Sequence, residues 1–62
     1  MMKKALIVDD EPLLRRQVAD ALASFGFDRL VEAENGQQAV ELARSEKPLL
    51  IVMDVSMPIK DG

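Results

Sequence analysis

Apolar residues in this chain occur in short continuous runs, separated by longer stretches in which apolar and polar residues alternate. The runs at about residues 4–9, "KALIVD", and 49–54, "LLIVMD", are too continuously apolar for half-exposed strands and too short for helices. They predict two strands buried on both faces. A third strand is predicted at about residues 28–33, "DRLVEA", where charged residues interrupt the apolar run.

A first helix is predicted over about residues 11–25. Pro12 suits the first turn, and either Asp9 or Asp10 could cap the helix. Gly26 follows at the position where a left-handed backbone favours glycine. The apolar residues fall on one stripe, which should face the sheet: Leu14, Val18, Ala21, Leu22 and Phe25.

A second helix is predicted over about residues 35–46. Asn35 and Gln38 have the spacing of a capping box at its start, and Pro48 stands beyond its end. Its inner stripe is predicted to consist of Ala39, Val40 and Ala43, with Leu42 beside it. The charged residues of both helices are expected on solvated faces: Arg15, Arg16, Asp20, Glu41, Arg44, Glu46 and Lys47.

Strands that alternate with helices over short loops predict an α/β fold with a parallel sheet. Right-handed crossovers then restrict the strand order. If the second strand lies beside the first and the second helix returns the chain past the first strand, the order is 2-1-3 with helices on both faces. The first and third strands become neighbours that end at the same edge.

Three carboxylates are therefore expected to converge at that edge, because Asp9 and Asp10 end the first strand and Asp54 ends the third. Two like charges about 5 Å apart repel by about 3 kcal/mol at an effective dielectric near 20. A hard divalent cation, Mg²⁺ or Mn²⁺, would relieve this repulsion and suits oxygen ligands.

Composition narrows the chemistry further. The chain has no Cys and no His, which excludes disulfides, a catalytic thiol and hydrolase triads that need His. The net charge of -3 argues against nucleic-acid binding through this segment. The apolar run near the N-terminus is too short for a signal peptide, and no stretch has transmembrane length, so we expect a cytoplasmic protein without a membrane partner.

The segments "LIVDDEP" and "MDVSMPIKDG", with Asp54 at the end of a strand, resemble the first half of a response-regulator receiver domain. The resemblance covers all 62 residues. It implies the βαβαβ half of a flavodoxin-like fold. It also implies that an aspartate accepts a phosphoryl group from the phosphohistidine of a sensor histidine kinase, the partner of the parent protein, in a two-component phosphorelay.

The resemblance assigns roles to four residues. Asp54 corresponds to the phosphoacceptor, and Asp10 to the carboxylate that binds Mg²⁺ directly. Asp9 corresponds to a ligand or a water-holding residue beside it. The backbone carbonyl of Ser56 corresponds to the remaining protein ligand. The loop at residues 55–62 is given no further role.

Receiver domains in this family are about twice as long, and this chain stops before the residues that complete the phosphate site. We therefore expect weakened metal binding, impaired phosphorylation and no independent enzyme activity in the 62-residue form. The third strand would become an edge with exposed apolar surface. A homodimer through this strand, with the order 2-1-3-3-1-2, would cover it.

Two alternatives follow from the same residues. The chain could be a non-catalytic, self-associating half-domain that acts only as a dimerisation or interaction unit. It could also be a nucleotide- or flavin-binding half-fold, but its first strand-helix turn, "DDEPL", lacks the glycines of a phosphate-binding loop. "DDEP" on its own is also consistent with simple helix capping.

Overall fold

The computed structural model describes residues 2–53 as one three-stranded parallel sheet with two helices. The elements in chain order are β1 (Lys4–Val8), α1 (Pro12–Ser24), β2 (Arg29–Ala33), α2 (Gly36–Glu46) and β3 (Leu50–Met53). The strand order is β2-β1-β3, and both pairs are parallel. The predicted α/β fold with strand order 2-1-3 is thus confirmed. No helix within the described range is long and apolar enough to cross a membrane.

β1 separates two apolar clusters, one on each face of the sheet. Its alternating side chains explain the arrangement, because successive residues of a strand point to opposite faces. On one face α1 supplies the cover, and the buried residues are Ala5, Ile7, Ala19 and Leu22. On the other face α2 supplies it, and they are Leu6, Val8, Ala33 and Ala39. The predicted placement of helices on both faces is therefore correct.

The inner stripe of α1 differs from the prediction. Leu14 is 44% exposed and Phe25 is 76% exposed, and Ala21 is exposed as well. The helix instead faces the sheet with Ala19 and Leu22 buried and Val18 partly buried. Small Ala19 leaves room for the helix to approach the bulky Ile7 of β1 in the same cluster.

The inner stripe of α2 also needs one correction. Val40 is 54% exposed, whereas Ala39 is 5% exposed and Leu42 and Ala43 pack against the cluster. A helix presents only a limited arc to a sheet, and Val40 falls outside the arc centred on Ala39 and Ala43.

The two helices differ in how their N-termini are capped. Asn35 caps α2, and its side chain accepts a hydrogen bond of 2.8 Å from the backbone N–H of Gln38. Gln38 does not complete the predicted capping box, because its side-chain oxygen accepts from the N–H of Glu34 instead of Asn35. In α1 the cap position is Glu11, whose side chain makes no capping hydrogen bond, so neither Asp9 nor Asp10 occupies that position.

The ends of the helices use left-handed backbone. Gly26 has φ +95°, as its position after α1 predicts. Lys47 caps α2 with φ 49°, and its backbone N–H donates to the carbonyl of Ala43. The chain then passes Pro48 and enters β3.

β3 lies at the edge of the described sheet, and its apolar side chains are only partly covered. Leu50 is 39%, Ile51 48% and Met53 51% exposed, so the pattern-based prediction of a strand buried on both faces is wrong. Within residues 2–53 β3 is the edge strand with exposed apolar side chains that the sequence analysis expects. Only Val52 of this strand packs against a core cluster within residues 2–53.

Candidate functional site at the carboxyl edge of the sheet

The carboxyl ends of β1 and β3 meet at one edge of the sheet. The register pairs Val8 with Met53, the last residues of the two strands. Asp9 and Asp54 are the next residues along the chain. Asp54 and Ser56, two of the four predicted site residues, lie outside the described residues, as does the predicted loop at 55–62.

Asp9 is buried at this edge and is held by two hydrogen bonds. It is 8% exposed, and its backbone N–H donates to the carbonyl of Ala33, which extends the pairing with β2 by one residue. Its Oδ1 accepts a hydrogen bond of 2.9 Å from the backbone N–H of Glu11. The carboxylate is thus oriented by the turn between β1 and α1. Asp10, the next residue, is exposed.

Arg15 also contacts this turn, and the sequence pattern did not predict it. Its Nη1 donates to the backbone carbonyl of Asp9 at 2.8 Å, and its Nε donates to the carboxylate of Glu32 at 2.9 Å. The side chain is 15% exposed, so its predicted place on a solvated face is wrong. Arg15 precedes Val18 and Leu22 by three and seven residues, which is helical spacing, but Leu14 shares a stripe with the same two residues, so spacing alone did not single out Arg15.

A shallow groove lies beside Asp9 between α1 and the strand ends. Apart from Asp9 its lining is apolar, and it consists of Ile7, Val8, Asp9, Leu14, Val18, Val52 and Met53. Apolar walls lower the local dielectric around a carboxylate, so a cation bound there is attracted more strongly than in water.

The donors at this edge have the chemistry of a hard-cation site. Two successive carboxylates, one oriented by a hydrogen bond and one exposed, are oxygen ligands of the kind that Mg²⁺ accepts together with water. Within residues 2–53, however, no group of three acidic side chains is close enough to hold a metal ion. The described residues therefore fit part of a magnesium site, and further ligands must come from elsewhere.

Comparison with known proteins shows the family to which the chain belongs. Residues 5–62 match the family described as response regulator receiver domain. The chain belongs to this family. Receiver domains are generally Mg²⁺-dependent and interact with histidine kinases. No solved structure gives a significant match.

The chain is also similar to individual curated proteins. The transcriptional regulatory protein PdtaR of Mycobacterium tuberculosis is 47% identical over 60 residues, which cover 97% of this chain and 29% of the relative. The chemotaxis protein CheY of Bacillus subtilis is 45% identical over 62 residues, which cover 100% of this chain and 52% of the relative. A protein-glutamate methylesterase/protein-glutamine glutaminase of Methanococcoides burtonii is 48% identical, over 98% of this chain and 18% of the relative. The chain thus spans about half or less of the length of these relatives.

Proposed function

We propose that this chain is the phosphoryl-accepting part of a response regulator. In this proposal Asp54 takes a phosphoryl group from the phosphohistidine of a histidine kinase. A carboxylate oxygen of Asp54 forms the new bond to phosphorus, and the bond from phosphorus to the imidazole nitrogen breaks with its electron pair on the nitrogen. The chain has no His, so a phosphohistidine donor lies outside these 62 residues.

The single observation that best supports the proposal is the register of β1 and β3. Val8 and Met53 are paired, and each directly precedes an acid, Asp9 or Asp54. Consecutive Cα atoms are about 3.8 Å apart, so this register supports the proposal that the two acids act at one site. Family membership adds independent support.

The proposed cation ligands are Asp9, Asp10, Asp54 and the backbone carbonyl of Ser56. Bound Mg²⁺ would neutralise negative charge on the phosphoryl oxygens. The oriented Asp9 carboxylate would bind the cation or a water molecule on it, while exposed Asp10 can rotate towards it. The histidine kinase as partner and a cytoplasmic location are part of this proposal.

Phosphoryl uptake can be tested directly with the 62-residue chain. The chain is incubated with acetyl phosphate and Mg²⁺, and intact-mass spectrometry measures addition of one phosphoryl group. Asp54→Asn should abolish the addition, because an amide oxygen is a poor nucleophile. Asp20→Asn, an exposed aspartate of α1, is the matched control and should behave as the unsubstituted chain.

The same samples give a second measurement with beryllofluoride, which imitates a phosphoryl group without forming a covalent phosphate. NMR spectra should shift for residues near Asp9 in the unsubstituted chain and not in Asp54→Asn. Uptake that persists in Asp54→Asn would contradict the proposal. Because uptake and metal binding are expected to be impaired in the 62-residue form, both reagents and Mg²⁺ are used in large excess. The absence of both uptake and shift under these conditions, in a chain that circular dichroism shows to be folded, would also contradict the proposal.

A second candidate function is self-association through β3. Ile51 and Met53 are about half exposed, and β3 pairs only with β1 within residues 2–53. An apolar strand with one unpaired edge is a template for pairing with a second copy. A twofold arrangement would place two β3 strands antiparallel and give one six-stranded sheet.

Light scattering after size-exclusion chromatography tests this candidate. A dimer should form at micromolar concentration and should be lost in Ile51→Lys, because a charge at a β3 interface would be buried without a partner. Leu13→Lys, at an exposed apolar position of α1, is the matched control and should remain dimeric. A folded monomer at micromolar concentration would exclude the dimer.

A further inference from the structure

Arg15 connects three elements of the fold at the acidic edge. It belongs to α1, its Nη1 donates to the Asp9 carbonyl at the end of β1, and its Nε donates to Glu32 of β2. In the β1–β2 register Glu32 is paired with Ile7, so it lies on the face of the sheet that α1 covers. The guanidinium is therefore held by two hydrogen bonds, and its rigid planar shape fixes the direction of one relative to the other.

The bond to Asp9 restrains the backbone between the two acids. The Asp9 carbonyl is part of the peptide group that joins Asp9 to Asp10, so holding it limits rotation about the bonds on both sides. The hydrogen bond from Glu11 N–H to the Asp9 carboxylate restrains the same turn from its other end. A charge-assisted hydrogen bond is about twice as strong as one between neutral groups.

We propose that Arg15 is a positioning residue that sets the orientation of the Asp9 and Asp10 carboxylates for a divalent cation, with Glu32 as the anchor of its guanidinium. This proposal rests on the proposed function. Arg15 itself would not touch the cation. Arg15 would hold the turn between β1 and α1 in one conformation. Cation binding would then not lose free energy to the ordering of this turn.

Charge and positioning predict opposite effects for the loss of Arg15, which makes the proposal testable. A positive charge near two carboxylates repels a bound cation, so removing that charge should strengthen cation binding if Coulomb repulsion dominates. Loss of positioning should weaken binding. Arg15→Gln removes the charge and the fork, whereas Arg15→Lys keeps the charge and removes the fork.

Arg16 provides the matched control. It is the next residue of α1, it is exposed, and it makes no hydrogen bond or ion pair with any residue in the described range 2–53. Arg16→Gln therefore reports the effect of one lost positive charge on the same turn of helix. Glu32→Gln reports the loss of the anchor while Arg15 remains.

The first measurement is Mn²⁺ binding to the 62-residue chain, followed by the electron paramagnetic resonance signal of the free ion. We expect about tenfold weaker binding in Arg15→Lys and Arg15→Gln, the usual cost of removing a residue that orients a ligand. Glu32→Gln should show a smaller loss, and Arg16→Gln should bind within about twofold of the unsubstituted chain or slightly more tightly. Unchanged or tighter binding in both Arg15 variants would overturn the proposal.

The second measurement needs no cation. Amide hydrogen exchange at Glu11, followed by NMR, reports how often the turn opens, because this N–H donates to the Asp9 carboxylate. We expect exchange to become about tenfold faster in Arg15→Lys, equivalent to about 1.4 kcal/mol, and to stay unchanged in Arg16→Gln. Equal exchange in all variants would overturn the proposal.

The two measurements separate this proposal from the proposed function. If the unsubstituted chain binds neither Mn²⁺ nor beryllofluoride, the proposed function fails, and the Glu11 exchange rate still decides whether Arg15 orders the turn. If Arg15→Gln does not fold by circular dichroism, Arg15→Lys and Glu32→Gln carry the test. The Arg15 variants could also lose stability while the Mn²⁺ affinity of the folded fraction and the Glu11 exchange rate stay unchanged. That result would mean that the Arg15–Glu32 ion pair only stabilises the fold, and it would overturn the proposal.

Discussion

β1 and β3 have nearly the same apolar pattern but very different surroundings. Leu6 of β1 is fully buried, whereas its register partner in β3, Ile51, is 48% exposed. A continuous apolar run thus indicates a strand that can be buried on both faces, and it does not show that both faces are covered. The burial of a strand's side chains depends on how many helices and strands pack around it.

The difference in cover follows from the topology. β1 has a strand on each side and a helix on each face, because β2 and β3 pair with its two edges while α1 and α2 pack on its opposite faces. β3 has one neighbouring strand, and neither helix reaches Ile51 or Met53 among the packed residues of the described range. Apolar burial stabilises by about 25 cal/mol per Å² removed from water. β1 therefore contributes far more to folding than β3.

Truncating the paired side chains Leu6 and Ile51 one at a time measures how much each strand's burial stabilises the fold. Leu6→Ala should reduce the free energy of unfolding by about 3 kcal/mol, because it leaves a cavity in a closely packed cluster. Ile51→Ala should cost at most about 1 kcal/mol, because much of its side chain already contacts water. Urea unfolding followed by circular dichroism measures both.

Chain length makes the first effect severe. A domain of about 60 residues buries only about 60% of its unfolded surface, so the loss of 3 kcal/mol could remove most of its stability. Equal losses for Leu6→Ala and Ile51→Ala in a monomer would contradict the comparison. Equal losses that depend on protein concentration would instead show that Ile51 is buried between two copies, which links this measurement to the dimer candidate.

Much of the architecture could be predicted from the sequence, because its signals are local. Alternation of strands and helices, Gly26 after α1 and Asn35 before α2 each depend on a few neighbouring residues. The choice of stripe on α1 could not be predicted in this way. Val18 and Leu22 belong to two overlapping stripes, and apolar character favoured the one with Leu14 over the one with Arg15.

The candidate site was predictable only in part for a similar reason. Strand ends and sheet order lead from sequence to the carboxyl edge, so Asp9 and Asp10 could be assigned to it. The contact between Arg15 and the Asp9 carbonyl depends on tertiary placement of α1 over β2, where Glu32 lies. No local pattern encodes that placement. The roles of Asp54 and Ser56 stay predictions, because both lie outside the described residues.

A substitution at the start of α2 can destabilise the helix that packs over β1 without changing β1 or β3. Asn35→Ala removes the side-chain oxygen that accepts from Gln38 N–H, and loss of such a cap costs about 1 kcal/mol. Glu11→Ala is the matched control at the cap of α1, where the side chain makes no capping bond, and it should change stability by less than about 0.5 kcal/mol. Thermal unfolding followed by circular dichroism measures both variants. Equal destabilisation would contradict this assignment of the caps.

The smallest effect concerns the charged start of β1, for which the uncharged β3 has no counterpart. Lys4 lies 3.2 Å from the carboxylate of Glu46, and Arg29 lies 3.3 Å from it. The hydrogen bond from Lys4, and then the charges of Arg29 and Lys4, lower the pKa of Glu46 below its ordinary value of 4.5 despite an opposing effect of burial. The folded chain therefore favours the ionised form of this side chain.

The sign of the pH dependence follows from this lowered pKa. The stabilisation by ionised Glu46 is fully present above pH 4.5, the ordinary value, and is lost as the pH falls through the lower pKa of the folded state. The melting-temperature difference between the unsubstituted chain and Glu46→Gln should be constant near neutral pH and shrink below pH 4.5. Glu41→Gln, at an exposed α2 position without an ion pair within residues 2–53, should show no such change. A Glu46→Gln difference that grows on acidification would mean that the Lys4 pair does not stabilise the start of β1.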